Sequence, residues 1–214
     1  MEIAWFGLSC FRLTERGKAT VMTDPFDHEQ VGYSVLKSRA DIVTVSHDAP
    51  GHNFVKGVKG INQVIDGPGE FEIGDVFITA IRTSAKKRSS QEAPPNTLYV
   101  FDYDGMTVAH LGDLNRNLTQ SEVDALGTVN VALVPVGGGG GLTAAQAAEV
   151  ISMLDPAIVI PMHYKTRETN LKLDPLNRFI SEMGLGEVKP VPSLKVTSSS
   201  LPEETQIVVL EVSA

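Results

Sequence analysis

Apolar and polar positions alternate in short runs through the first half of the chain, then give way to longer apolar blocks separated by amphipathic stretches. EIAWF, SCFRL and ATVMTD read as strands joined by the tight connections GL and TERGK, and DIVTVS follows after a polar stretch. NQVID, EFEI and DVFITAI alternate with GPG and GD turns. TLYVFDY and MTVAHL flank Asp104-Gly105, a dipeptide that accepts positive φ at both positions and so suits a two-residue hairpin. This half predicts a β-meander.

The second half alternates helix and strand. Thr119 with Glu122, and Thr143 with Gln146, form capping boxes that open QSEVDALG and AAQAAEVISML. Asp174-Pro175 reads as an N-cap followed by a first-turn proline before LNRFISEMG. VNVALVPV and AIVIPMH are apolar and β-branched, the pattern of strands buried on both faces, and TQIVVLEV predicts a closing strand. A sheet buried on both faces needs a layer on each side, so the order of elements fits two packed sheets with helices outside, an α+β sandwich spanning 1–214 as one domain. The polar stretch from Thr83 to Pro95 reads as a loop over one end.

Composition narrows the function classes. The net charge of −8 argues against a nucleic-acid partner, since phosphate binding needs clustered Lys and Arg, and Lys86-Lys87-Arg88 alone is a solvated run. The single cysteine, Cys10, lies in an apolar run and reads as a small buried hydrophobe. No apolar run reaches the length of a membrane span, and the N-terminus reads as a strand rather than a signal peptide, so a cytoplasmic protein with no membrane partner is expected. Ligand classes left open are a small molecule and a second copy of the chain.

The candidate chemistry sits at strand ends. His47 follows DIVTVS, His110 ends MTVAH, His163 ends AIVIPM, and Asp113 lies just past a strand in HLGDLN. Loops converge at such ends, and imidazole with carboxylate is a zinc-type donor set. His52 lies five positions after His47 in IVTVSHDAPGHN. Asp24, in TDPF, follows a strand and suits either orienting a histidine or capping the next loop. The glycine run Gly137–Gly141 lacks the lysine of a phosphate loop and reads as a flexible strand-to-helix connection rather than an anion cradle.

These motifs, from IAWFGLSCF through TDPF, VIDGPGEFEI, HLGDL and VPVGG to IPMHYKT, resemble the metallo-β-lactamase superfamily, in its branch of small metal-dependent hydrolases related to ascorbate-phosphate lactonase. The resemblance implies a four-layer αβ/βα sandwich of two mixed sheets. It also implies a two-zinc motif, T/S-H-x-H-x-D-H, whose frame here reads Ser46, His47, Asp48, Ala49, Pro50, Gly51, His52. In that frame Ala49 replaces a histidine, and Gly51 replaces the aspartate that binds metal and orients water. Leu8 stands at the early turn histidine, Ala85 near another expected histidine, and Asn115 and Arg116 where glycine and histidine are expected.

The residual ligand positions are then His47, His52, Asp113 and His163. The resemblance gives the first metal only His47 and the bridging Asp113, and gives the second His52, Asp113 and His163. Zinc at one partial site and no metal at all are both compatible with that count. The favoured reading is a binding or regulatory protein on a hydrolase fold, with no dinuclear centre and little or no hydrolysis. The alternative is a single-metal zinc hydrolase using His52, Asp113 and His163 on an ester, lactone or phosphoester.

Overall fold

Side chains of alternate strand residues point to opposite faces, and here both faces of the first sheet find a partner. Ile3, Trp5, Phe11 and Leu13 join the large core between the sheets, while Ala4, Phe6, Leu8 and Cys10 pack in a second core on the outer face. The computed structural model describes residues 1–83 and 95–213. In chain order the strands are β1 (Glu2–Gly7), β2 (Cys10–Thr14), β3 (Val21–Thr23), β4 (Ser38–Arg39), β5 (Ile42–Thr44), β6 (Val58–Lys59), β7 (Gln63–Ile65), β8 (Gly69–Ile73), β9 (Val76–Thr83), β10 (Asn96–Tyr103), β11 (Met106–His110), β12 (Val131–Pro135), β13 (Ile158–Met162), β14 (Leu194–Lys195) and β15 (Gln206–Ile207). The α-helices are α1 (His28–Val31), α2 (Gln120–Leu126), α3 (Ala144–Leu154) and α4 (Leu176–Glu182).

One sheet has the order β14-β1-β2-β3-β5-β7 and the other β15-β13-β12-β11-β10-β9-β8, with β4 and β6 pairing separately. This is the mixed two-sheet sandwich expected. The meander holds for β8 to β11, whose neighbours are antiparallel. It fails where β3, β5 and β7 pair in parallel, because the chain between them makes crossovers rather than hairpins. Asp104 and Gly105 make the β10–β11 turn at φ 56° and 84°, both positive as such a turn requires.

β12 and β13 are buried along their whole length, between the core and the outer helices. α3 buries Ala147, Val150, Ile151 and Leu154, an i, i+3, i+4, i+7 stripe, and its larger side chains each contribute about 1.5–3 kcal/mol on burial. Cys10 is buried in the outer core as expected. No helix among the described residues is long and apolar enough to cross a membrane.

Two further expectations need correction. Asp174 does not cap α4: Pro175 is the N-cap residue, with no side-chain cap. Backbone bonds from Asp174 to Gly137 and from Lys165 to Asp174 hold this segment extended, and the Asp174 carboxylate instead accepts from Arg178 at 2.6 Å. TQIVVLEV is a regular strand only at Gln206–Ile207. Beyond it the chain crosses from Val208, bonded to Val159 of β13, to Ser213, bonded to Trp5 of β1, so it ties the two sheets together instead of extending one.

Both capping boxes form as expected. At α2, Glu122 accepts from the Thr119 backbone at 2.8 Å and also takes a two-pronged bond from Arg116, at 2.8 and 2.7 Å. The Arg116 bond, ahead of a smaller opposing effect of burial, lowers the Glu122 pKa. A lowered folded pKa means that the stabilisation is present above the unfolded value of about 4.3 and fades as pH falls through the lower folded value. Glu122→Gln should therefore cost about 0.5–1 kcal/mol at pH 7. In thermal melts the gap to the natural protein should close towards pH 3.

Candidate metal centre

The parallel pairings bring several strand ends to one edge. Thr23 of β3 pairs with Thr44 of β5, His110 of β11 with Leu133 of β12, and Pro135 of β12 with Met162 of β13. The residues that follow these ends, Asp24, Ser46–His52, Asp113, Gly137–Gly141 and His163, form the loops of the site. Backbone strain collects here as well. Among the described residues six non-glycine positions have positive φ, and three of them, Leu8 (47°), Asp24 (39°) and His163 (53°), belong to this edge. The other three, Asp75, Asp104 and Asp155, lie in turns or at a helix end. Such conformations cost about 1–3 kcal/mol each and persist only where surrounding bonds enforce them. The backbone N–H of His163 supplies one such bond, to the Leu8 carbonyl at 3.1 Å.

His47, His52 and Asp113 each offer a ligand atom, all within 4.8 Å of one another. The His47 and His52 ring centres are 4.1 Å apart, and His163 adjoins them with its ring 5.4 Å from His52 and its Nδ1 3.8 Å from Asp113 Oδ1. The four residues named from the sequence are thus brought into one cluster, and the tightest trio contains His47 rather than His163. Asp113 Oδ1 and His163 Nδ1 are buried and have no hydrogen-bond partner. Burying a polar atom without a partner is costly, so two orphaned donor-type atoms at the centre of a histidine cluster fit a cation.

Protonation agrees with that fit. Burial, then the neighbouring His52, push the His47 pKa down to about 4. Burial also lowers His163. Both rings therefore have a free lone pair at neutral pH, as a metal ligand needs. His52 differs. Burial would lower it, but the Asp24 carboxylate, through charge and a 2.7 Å bond to Nδ1, raises it. Asp24 is fully buried and also accepts from the Ser46 backbone at 2.7 Å and the Ser46 hydroxyl at 2.5 Å. Burial would raise the Asp24 pKa; the facing His110 and His52 rings and the bonds from His52 and Ser46 outweigh it and leave it low. Of the two roles open to Asp24 from sequence, it takes the one that orients a histidine, turning His52 Nε2 towards the cluster.

His110 does not join the cluster. It is fully buried, its Nε2 lies 2.9 Å from the Ser9 carbonyl and its Nδ1 accepts from Gly112. Both ring nitrogens are spent on backbone, so its strand-end position reflects packing. Arg116 is committed to Glu122 at the start of α2. Asn115 beside it is half-buried. The Ala49 carbonyl accepts from the His52 backbone and so shapes the turn. Leu8 is fully buried, and its Cδ1 stands 3.3 Å from where a Cβ on Gly51 would lie. Ala85 and the basic run Lys86-Lys87-Arg88 lie outside the described residues.

The glycine run closes over Asp113. A Cβ on Gly141 would stand 2.5 Å from Asp113 Oδ1, so the loop can approach the carboxylate only without side chains. Nothing in the sequence marked Gly141 for this role, because the contact joins two loops from different strands.

A family model described as a β-lactamase superfamily domain matches residues 2–163. A UPF0173 metal-dependent hydrolase of Staphylothermus marinus is 30% identical over 203 residues, covering 81% of this chain and 87% of its own. A UPF0173 protein of Pyrococcus furiosus is 29% identical over 195 residues, covering 78% and 84%. A solved Thermotoga maritima structure, a candidate Zn-dependent hydrolase of the metallo-β-lactamase superfamily, superposes with a TM-score of 0.78 at 34% identity, covering 98% of this chain and 97% of that one.

Gly141→Ala should push the Asp113 carboxylate out of the cluster. Zinc affinity, read by competition with a chromogenic chelator, should fall by about tenfold or more, as when a ligand's orientation is lost. Unchanged affinity would show that Asp113 is not a ligand.

Proposed function

The chain belongs to the metallo-β-lactamase superfamily, and from that premise we propose that it keeps one cation site of the hydrolase fold, lacks the dinuclear centre, and binds a small molecule with little or no hydrolysis. His47, His52 and Asp113 hold the cation, with His163 beside them. One observation carries this reading: the ligand atoms of the trio lie within 4.8 Å of each other, and its Asp113 Oδ1 and the adjoining His163 Nδ1 are buried without a hydrogen-bond partner. A histidine-rich set with one carboxylate suits zinc, and a zinc ion bound there supplies Lewis-acid polarisation of a ligand oxygen.

What the chain lacks is the carboxylate that orients water. Gly51 has no side chain, and the space beside it is filled by Leu8 Cδ1 at 3.3 Å and Val31 Cγ1 at 3.9 Å from the missing Cβ. An apolar leucine stands where the family places a polar side chain, and a glycine makes room for it. The exchange removes water-directing groups while keeping the loop closed. Ala49 removes a further imidazole. A pair of metals roughly 3.5–4 Å apart has too few donors to assemble from the described residues.

A second reading, a one-metal hydrolase of an ester, lactone or phosphoester, is favoured by a single feature. His163 Nδ1 is buried, lacks a partner and lies beside Asp113, so it has a site for a proton to spare. That reading keeps the resemblance to ascorbate-phosphate lactonase.

Calorimetric titration with zinc at neutral pH should give one site per chain, abolished by Asp113→Asn. Two tight sites, or none, would refute the one-cation reading. Rapid zinc-dependent turnover of a phosphodiester or lactone by the natural protein would favour the second reading.

Restoring ligands tests the plug. Ala49→His with Gly51→Asp should add no second zinc, because the new carboxylate meets Leu8. Adding Leu8→His to that pair should raise the stoichiometry towards two, measured by native mass spectrometry.

A further inference from the structure

A cavity of about 490 Å³ opens beside the cluster, and His47 is part of its wall. Its polar lining includes Ser46, Asp48, Asp66, Arg82 and Thr97. Among the described lining residues Arg82 is the only cation. It projects from β9, and its Nη2 reaches within 3.8 Å of where a Cβ on Gly67 would stand, in the turn between β7 and β8. Among the described residues Arg82 makes no hydrogen bond or ion pair. Asp66, on the same wall, lies beyond ion-pair distance of it, and Asp48 is held by Asn53 at 2.5 Å.

An uncommitted guanidinium in a cavity that shares a wall with a metal ligand is a recognition element. The chain as a whole carries a charge of −8, so a guanidinium on this cavity wall runs against the net charge of the protein. The planar fork of arginine binds the paired oxygens of a carboxylate or phosphate through two parallel N–H bonds, and a point charge does this less well. A cation at the His47 trio and the guanidinium of Arg82 would then sit on one cavity and act on one ligand. Asp66 disfavours ligands that present further negative charge on its side.

We propose that this cavity takes the ligand's anionic end, a compact oxyanion such as a phosphate monoester or carboxylate, and that Arg82 is its anchor. The proposal rests on the one-cation reading for the ligand's other contact, and the test separates the two. Phenyl phosphate and benzoate, which share a ring and differ in the oxyanion, are titrated into the natural protein, Arg82→Gln, Arg82→Lys and Asp66→Asn. Each titration is run with zinc at saturation and again with a chelator, and zinc affinity is measured separately.

Arg82 is exposed, so its variants should melt at the natural temperature and bind zinc unchanged. Arg82→Gln should weaken the better-bound probe about tenfold in both metal states, as loss of a charge-assisted two-pronged bond does. Arg82→Lys should fall between, and Asp66→Asn should bind more tightly. The better-bound probe identifies the oxyanion. No binding of either probe, or equal binding by natural protein and Arg82→Gln, overturns the anchor whatever the zinc result. Absence of zinc binding overturns the one-cation reading alone, since the chelated arm still decides Arg82.

Discussion

The Asp24 carboxylate is the constraint on which the site depends. It is fully buried at the end of β3, and it gathers the Ser46 backbone, the Ser46 hydroxyl and the His52 ring within 2.5–2.7 Å. A buried carboxylate is tolerated only when its oxygens are filled, and removing one partner of a buried charged pair costs about 3–5 kcal/mol. The loop Ser46–His52 therefore has little freedom: its first residue and its last histidine are held by the same carboxylate. That fixes which nitrogen of His52 faces the cluster. The positive φ of Asp24 places its side chain at this convergence, and the parallel pairing of β3 with β5 brings the loop to it.

Around that anchor the site has two kinds of wall. One is polar: His47, His52 and Asp113 converge, His163 stands beside them, and glycines let the 137–141 loop close on Asp113. The other is apolar, where Leu8 lies against Gly51. The strained backbone at Leu8, φ 47°, is maintained although leucine gains nothing from it locally. Its carbonyl explains why: it accepts from the Trp5 indole at 2.9 Å and from the His163 backbone at 3.1 Å. The turn is held by its main chain, and the Leu8 side chain is left to pack against Gly51.

Much of the fold was legible because local rules and packing agreed. The Asp104-Gly105 hairpin, the capping boxes at Thr119 and Thr143, the wholly apolar β12 and β13 and the buried Cys10 each follow from a few neighbouring residues. The misreadings arose where distant backbone decided. Asp174 lost its cap role to bonds with Gly137 and Lys165, the terminal segment left its sheet to reach Trp5, and β5 and β7 paired in parallel through crossovers. His110 looked like its strand-end neighbours and differs only because Ser9 and Gly112, far apart in sequence, take both its nitrogens.

The sequence by itself determined the donor types and the strand ends that carry them, because residue identity and period-two burial are properties of short stretches. Only the tertiary structure decided which donors meet: that His47 sits closest to His52 and Asp113, that Asp24 grips His52, that Gly141 must lack a side chain, and that Leu8 fills the space beside Gly51. Apart from the approach of His47 to His52, five positions on, each of these is a contact of a few ångströms between residues tens of positions apart. Its existence depends on strand pairing and backbone strain across two sheets, which no local pattern encodes.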